Sequence, residues 1–175
     1  MNTVIFCGDY QIRNQRLGSK CEMNELLSRH SNGWIELKEP DYHCEYYVLS
    51  CQLHGEKGKF GIGIYIENPA FPPAIVSHNK DNELLIVNNK HLTSVNLCDG
   101  KICFNYESDS IVYFTKLYMD TIVLVSELSI TQLRRNGDII TVHTLDDVLE
   151  EFKFEQASII CRTMSSCAEY SLATT

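Results

Sequence analysis

Residues 83–118, ELLIVNNKHLTSVNLCDGKICFNYESDSIVYFTKLY, and residues 120–155, DTIVLVSELSITQLRRNGDIITVHTLDDVLEEFKFE, follow one pattern. With Gly100 set against Gly137, the copies align at a spacing of 37 residues. The aligned pairs are Ile86 with Val123, Ile102 with Ile139, Asp109 with Asp146, Ile111 with Val148, and Ile122 with Ile159. Periods of this size are typical of stacked supersecondary units.

Each copy contains one tight turn, at Asp99-Gly100 in the first copy and at Asn136-Gly137 in the second. Asp-Gly and Asn-Gly dipeptides supply the positive φ angles that hairpin turns need. The second copy has one inserted residue before its glycine. These features predict a mainly β fold, an antiparallel meander of blade-like repeats that forms a two-layer sandwich or an open twisted sheet.

Alternating and apolar runs place ten strands in the repeated portion, residues 84–173. They are Leu84–Val87, His91–Leu97, Lys101–Tyr106, Ser110–Leu117, Thr121–Ser126, Ser129–Leu133, Asp138–His143, Val148–Phe154, Ser158–Thr163 and Ala168–Ala173. Val148–Phe154 contains good helix formers. Its counterpart in the first copy is rich in β-branched and aromatic residues, so we predict a strand there too.

The N-terminal portion, residues 1–68, contains the one predicted helix. Ser19 and Glu22 have the spacing of a capping box, which predicts a short helix over Lys20–His30. Further predictions for this portion are an edge strand at Thr3–Cys7 and a polar loop from Gly8 to the helix. A strand or an extended segment is expected near Trp34, and Glu45–Leu53 with Phe60–Ile66 should form a hairpin with one buried face. Gly61 and Gly63 indicate another backbone segment or strand close to that hairpin.

Composition favours one folded domain spanning residues 1–175. Hydrophobic residues make up 44% of the 175-residue chain, and no apolar run approaches the ~20 residues of a membrane helix. The N-terminus lacks the pattern of a signal peptide, so a cytoplasmic location is expected.

The net charge is −8, from 23 acidic and 15 basic residues. This charge disfavours direct nucleic-acid binding and suits a basic protein partner.

Eight cysteines raise the questions of metal binding and nucleophilic catalysis. His43-Cys44 with Cys51 and His54 would supply four zinc ligands. Three residues separate Cys51 from His54, so the two point to opposite faces of a strand, which disfavours the site. We interpret most cysteines as small buried hydrophobic residues. No catalytic motif selects a Cys-His pair, so we expect no metal, no cofactor and no enzymatic activity.

Carboxylates gather in two places. Glu36, Glu39, Asp41 and Glu45 surround Pro40. The second group comprises Asp146, Asp147, Glu150, Glu151 and Glu155. A solvated face that discourages edge-to-edge aggregation is one interpretation of the second group. The other is a docking surface for a basic partner, and we take these five residues as the candidate partner-binding site.

Two resemblances extend these predictions. Residues 130–140, ITQLRRNGDII, followed by Asp147-Val148, resemble a blade of a β-propeller of the quinoprotein or WD type, and two such blades fit the chain. In its size, acidity and β content, the chain also resembles bacterial immunity proteins. Such proteins neutralise the toxin domains of contact-dependent growth inhibition and related polymorphic toxin systems.

The second resemblance implies a non-enzymatic protein that binds and neutralises a cognate basic toxin domain, such as a nuclease. The alternatives are a small cytosolic enzyme or ligand-binding β-domain, and an interaction module that uses exposed strand edges. None of these predictions involves a membrane.

Overall fold

The computed structural model describes residues 3–39, 42, 45–78 and 82–173. The fold is mainly β with one short helix, as predicted. Residues 1–105 and residues 106–175 form two compact units, and the boundary between them falls within a strand. Within the described ranges, no helix is long and apolar enough to cross a bilayer.

The first unit contains sheets A and B. Its elements are β1 (Thr3–Cys7), β2 (Tyr10–Leu17), α1 (Lys20–Ser28), β3 (Trp34–Glu36), β4 (Glu45–Leu53), β5 (Phe60–Ile66), β6 (Ala74–His78), β7 (Glu83–Asn88), β8 (His91–Asn96) and β9 (Lys101–Glu107). Sheet A has the order β1-β2-β4-β5-β3, in which β3 runs parallel to β5. Sheet B is the meander β6-β7-β8-β9.

Sheets A and B share an apolar core. Side chains that alternate along β4 and β5 form the sheet A side of this core, and the strands of sheet B supply the other side. The buried residues include Ile12, Tyr47, Leu49, Cys51, Ile62, Ile64, Ile66, Leu84, Ile86 and Val95. The predicted face of β4 is thereby confirmed.

Helix α1 covers the opposite face of sheet A. Ser19 caps it, because the Ser19 hydroxyl accepts the Glu22 amide at 3.2 Å. Met23 and Leu27 pack against Val48 and Tyr65. The prediction of a single buried face for the β4–β5 hairpin is therefore wrong, since the helix buries the second face.

The two glycines of β5 make room for this helix and pair with β3. A Cβ atom on Gly61 would lie 2.8 Å from Leu27 Cδ2, and one on Gly63 would lie 3.0 Å from Leu27 Cδ1. Strand β3 pairs with β5 across the same glycines, so the expected neighbouring strand is present.

Two strands of the first unit were not predicted. The polar loop expected after Gly8 is the eight-residue strand β2, in which only Tyr10 and Ile12 are buried. Its remaining residues are mostly polar, and their strand conformation comes from pairing with β1 and β4 on both edges. Strand β6 directly follows Pro72-Pro73, where the proline cluster suggested only a break in the sheet.

The second unit contains sheets C and D. Its strands are β10 (Val112–Tyr118), β11 (Thr121–Ser126), β12 (Ser129–Arg134), β13 (Ile139–Thr144), β14 (Leu149–Phe154), β15 (Ser158–Thr163) and β16 (Cys167–Ser171). Sheet C is β10-β11-β12-β13 and sheet D is β14-β15-β16. Val123, Val125 and Ile130 of sheet C pack with Ile159 and Cys161 of sheet D. Residues 149–154 are a strand, as predicted from the repeat.

The 37-residue repeat is present, but each sheet begins one strand earlier than the sequence copies do. Strand β10 ends the first sequence copy, yet it is the first strand of sheet C, and β14 likewise begins sheet D. The prediction of two blades is too low, because sheets B, C and D are three successive meanders. The structure thus confirms blade-like repeats and corrects their boundaries.

Both predicted turns are hairpin turns with a glycine in the left-handed region. Gly100 has φ +69° between β8 and β9, and Gly137 has φ +90° between β12 and β13. Asp99 and Asn136 keep negative φ angles. A bulge between Gln132 and Leu133 accompanies the second turn. The turns therefore differ from type I′ turns, in which both central residues have positive φ.

Burial of the central strands predicts a large difference between two isoleucines of sheet B. Ile86 on β7 is fully buried, whereas Ile102 on β9 is 41% exposed. Ile86→Ala should lower the free energy of unfolding by about 2–5 kcal/mol, because it leaves a cavity in the core. Ile102→Ala is the matched control and should cost less than about 1 kcal/mol. Urea unfolding measures both, and equal losses would contradict this packing.

Candidate functional site

The predicted acidic residues lie along the first strand of sheet D. Asp146 and Asp147 precede β14, Glu150 and Glu151 lie on it, and Glu155 directly follows it. All are exposed except Asp147, which is half-buried. The structure thus brings the five carboxylates to one strand and its entry loop. The two aspartates make hydrogen bonds within sheet D, whereas the three glutamates face the solvent.

A β-bulge decides which side chains of β14 face the solvent. The register shifts between Leu149 and Glu151. The extra residue puts Leu149, Phe152 and Phe154 on the core side. Glu151, Lys153 and Glu155 therefore alternate on the opposite side.

This opposite side, which we call the outer face of sheet D, is an acidic surface. By the register of the three strands, its members are Glu150, Glu151, Lys153, Glu155, Ser158, Ile160, Arg162, Cys167, Glu169 and Ser171. Glu169 was missed in the sequence, because it lies on β16 and reaches the other glutamates only through strand pairing. The alternation of side chains along β16 is the sequence signal that could have placed Glu169 on an exposed face.

Two cations partly offset the charge of the outer face. Arg162 Nη2 lies 3.0 Å from Glu151 Oε2, and Arg162 Nε lies 3.8 Å from Glu150 Oε2. Lys153 Nζ lies 2.5 Å from Glu155 Oε1. Glu169 accepts a hydrogen bond from the Ser158 hydroxyl. Four carboxylates against two cations leave the face negatively charged.

A shallow groove lies at one end of the outer face, beside the turn between β14 and β15. It has a volume of about 550 Å³, and its lining includes Glu155, Ser158, Ile160, Glu169 and Ser171. Ile160 is half-buried and supplies apolar surface between Lys153 and Glu169, its partners on β14 and β16. An apolar centre with a charged rim is the usual anatomy of a protein-binding patch.

Asp146 and Asp147 hold the β15–β16 hairpin. Asp146 accepts the Thr163 hydroxyl at 2.9 Å, and Asp147 accepts the Ser165 hydroxyl at 2.7 Å. Hydrogen bonds from Ser166 and Thr163 lower the pKa of Asp146. The pKa of Asp147 is lowered by the Ser165 hydroxyl and the Val148 amide. Both carboxylates are thus stabilised in the charged form.

The repeat contains the same arrangement one sheet earlier. Asp109 is the counterpart of Asp146, and it accepts the Ser129 hydroxyl at 3.0 Å. Ser129 is in turn the counterpart of Ser166. In both sheets, an aspartate in the entry loop fixes the hairpin of the next two strands. The aligned aspartates therefore mark a structural contact of the repeat.

The other acidic cluster is compensated within the first unit. Glu36 accepts the Tyr65 hydroxyl, and Lys20 Nζ lies 2.6 Å from Glu39 Oε2. Glu45 is buried and ion-paired with Arg16. Asp41 lies outside the described residues. These contacts favour the outer face of sheet D as the candidate site.

The disfavoured zinc site has two residues that the structure describes, Cys51 and His54, and these two do not converge. Cys51 is buried in the core, and burial raises the pKa of its thiol to about 12. His54 is exposed in the following turn, while His43 and Cys44 lie outside the described residues. Elsewhere in the described part of the chain, no three histidine, cysteine or carboxylate side chains are grouped for a metal ion.

The expectation that most cysteines are buried is wrong for the seven that the structure describes. Cys7, Cys51 and Cys161 are buried, whereas Cys21, Cys98, Cys103 and Cys167 are exposed. Cys103 and Cys167 lie on edge strands, where alternate side chains face the solvent. Burial raises the pKa of Cys161 to about 11. The thiols of Cys51 and Cys161 are therefore uncharged at neutral pH.

Comparisons with known proteins find similarity in solved structures alone. No protein-family model and no curated protein sequence matches the chain. HIRA(644–1017) gives a TM-score of 0.47 at 9% identity, over 97% of this chain and 55% of that chain. Hsv2 of Kluyveromyces marxianus gives 0.45 at 12% identity, over 73% and 44%. BamB from Moraxella catarrhalis gives 0.42 at 11% identity, over 75% and 40%.

These solved structures are β-propeller-like proteins, and this chain spans between a third and just over half of their lengths. Because these TM-scores are below 0.5, the blade-like character of the fold rests on the three meanders of this chain, sheets B, C and D. Neither an activity nor a partner is carried over from them.

Adjacent serines allow a paired test of the hairpin contacts. Ser166→Ala should raise the pKa of Asp146, because the Ser166 hydroxyl is the largest cause of its lowered pKa. Ser165→Ala is the matched control and should raise the pKa of Asp147 instead. Carbon-detected NMR titration reports each carboxyl separately. If both aspartates of the parent titrate at or above the ordinary value of about 3.9, these hydrogen bonds are absent.

The lowered pKa of Asp146 determines how the stability of the protein depends on pH. A lowered pKa in the folded state stabilises the protein above the unfolded-state pKa of about 3.9, and this contribution is lost as the pH falls through the lowered value. Thermal unfolding of the Ser166→Ala variant should therefore depend less steeply on pH below about 4 than that of the parent protein.

Proposed function

We propose that this protein is a non-enzymatic binding protein whose outer face of sheet D docks onto a basic surface of another protein. Its role is that of an immunity protein that neutralises a cognate basic toxin domain, such as a nuclease, in the cytoplasm. The observation that carries the proposal is the grouping of Glu150, Glu151, Glu155 and Glu169 on one face of sheet D, with Ile160 among them. Glu155, Glu169 and Ile160 also line the groove.

The distribution of charge along the chain supports this choice of surface. Residues 106–175 carry 11 acidic and 5 basic side chains, a net charge of −6 out of −8 for the chain. A concentrated negative field speeds the encounter with a basic partner and repels acidic ones. Nucleases must attract a polyanionic substrate, so their basic surfaces are opposite in charge to this face and complement it.

The arrangement of the outer face also suits binding. Ile160 provides apolar contact area at the centre, while the glutamates and the two cations surround it. Desolvated apolar contacts contribute most of the affinity, and rim charges contribute mainly to the association rate and specificity. Binding of this kind requires no nucleophile, metal ion or cofactor.

Removing the charge of three glutamates at the rim of the outer face tests the proposal. A variant with Glu150→Gln, Glu151→Gln and Glu155→Gln should associate about tenfold more slowly with its basic partner at low salt. The difference should shrink as salt rises, because the Debye length falls to about 8 Å at 0.15 M ionic strength. The partner to use is the protein encoded directly upstream, and stopped-flow fluorescence measures the rates.

The matched control carries the same loss of charge in the first unit. Asp9→Asn, Glu25→Gln and Glu56→Gln change three exposed carboxylates. This control should associate nearly as fast as the parent protein. Both variants should unfold at nearly the parental temperature, because exposed charges contribute little to stability. Equal rates for the two variants would contradict docking by the outer face of sheet D.

A further inference from the structure

The first unit contains a groove of its own, at one end of sheet A. The groove has a volume of about 490 Å³, which suits a small ligand. Its lining includes Phe6, Asp9, Gln11, Gln52 and His54. These side chains come from β1, β2, β4 and the turns beside them, so pairing within sheet A brings them together.

Three of the lining side chains form a row across sheet A. Phe6 on β1 pairs with Gln11 on β2, and Gln11 pairs with Gln52 on β4. Residues directly opposite each other on neighbouring antiparallel strands share one face of the sheet. Val48 is on this face too, because it is four residues from Gln52 on β4. An aromatic ring therefore stands beside two primary amides on one surface.

Phe6 presents most of its ring to the solvent. Helix α1 covers Val48 and Tyr65 on the same face of sheet A, but Phe6 remains 66% exposed. An aromatic ring that stays in water gains nothing from the hydrophobic effect. A ligand with a flat apolar face would remove that ring from water by packing against it.

Two turns close the end of the groove. Cys7 pairs with Tyr10, so Gly8 and Asp9 form a two-residue turn between β1 and β2. The His54 amide donates to the Asp9 carbonyl at 2.9 Å, which ties this turn to the turn that follows β4. The groove is thus built on paired strands and on turns bonded to each other, which favours a preformed site.

The two amides have hydrogen-bonding atoms available to a ligand. Gln52 Nε2 donates to the Glu56 carbonyl at 2.6 Å, so the nitrogen is held and Oε1 remains as an acceptor. Within the described part of the chain, neither Gln52 Oε1 nor the Gln11 side chain makes a hydrogen bond. A hydroxyl group both donates and accepts, so it can bond to either atom of a primary amide.

Charge restricts the ligand further. The exposed Asp9 carboxylate lies at the end of the groove and only accepts hydrogen bonds. This carboxylate and the net charge of −8 disfavour phosphates and other anions. An ammonium group only donates, so it would leave the amide donor groups unmatched. The groove therefore suits a neutral ligand that combines an apolar face with several hydroxyl groups.

We propose that this groove binds a neutral carbohydrate, with one pyranose ring packed on Phe6 and its hydroxyl groups bonded to Gln11, Gln52 and Asp9. A pyranose ring has apolar C–H groups on its two faces and hydroxyl groups around its rim. Sugars with equatorial hydroxyl groups, such as β-linked glucose, have the flattest apolar faces. The site is separate from docking by the outer face of sheet D, and it gives the protein a second class of ligand.

NMR titration of the full chain with cellobiose, a disaccharide of β-linked glucose, tests the inference. The side-chain amide signals of Gln11 and Gln52 and the backbone signals of Asp9 and His54 should shift, with a Kd on the order of 1 mM. Sorbitol is the matched ligand, because it has similar hydroxyl groups but no rigid ring face. It should bind at least about tenfold more weakly.

Variants of two exposed residues of β1 test the role of the aromatic ring. Phe6→Ala should weaken cellobiose binding at least about fivefold, whereas Phe6→Tyr keeps the ring and should change the Kd less than about twofold. Val4→Ala is the matched control, since Val4 is 46% exposed on the same face and lies outside the groove lining. All three variants should unfold at nearly the parental temperature, because these side chains are exposed.

Three results overturn the inference. They are no shift of these signals at about 20 mM cellobiose, equal binding of sorbitol, and equal weakening by Phe6→Ala and Val4→Ala. If adenosine shifts these signals and cellobiose does not, the groove takes a nucleoside and the carbohydrate assignment is overturned. The variant with three rim glutamates changed should bind cellobiose as the parent does, so this outcome and that of the proposed function are independent.

Discussion

The packing of sheet C against sheet D, through Val123, Val125 and Ile159, is the interaction on which the second unit depends. Meanders with strands of five to seven residues have little stability alone and must bury one face against another layer. In the first unit, sheet A buries one face against sheet B and the other face against helix α1. Only one face of sheet D takes part in the core of its unit, which leaves its charged face available for binding.

The repeat made most of the β architecture predictable, since apolar alternation and the two glycine turns mark most strands from Leu84 onward. Which strands share a sheet was not predictable, because β10 and β14 pair with later strands and local patterns do not record pairing. The third meander was missed because the glycine turns of sheets B and C join their third and fourth strands, and the segment of β14, β15 and β16 contains no such turn. Strand β2 was missed because pairing on both edges, rather than an apolar pattern, makes its polar residues a strand.

The acidic segment was visible in the sequence, but the roles of its members were not. Asp146 and Asp147 fix a hairpin, which is a tertiary contact with Thr163 and Ser165. A bulge in β14 places Glu150 and Glu151 on the outer face, and no sequence pattern predicts this bulge. Glu169 joins them only through pairing with β15. Carboxylates in one short segment therefore divide between building sheet D and giving its outer face a negative charge.

The central claim is that sheet D is the surface that meets a basic partner protein. Hydrogen–deuterium exchange with mass spectrometry tests it most directly, by comparing the protein alone with the protein mixed with the upstream-encoded product. The account predicts that added protection is concentrated in residues 149–171, which contain β14, β15 and β16. Protection confined to residues 3–78, with none in sheet D, would contradict it.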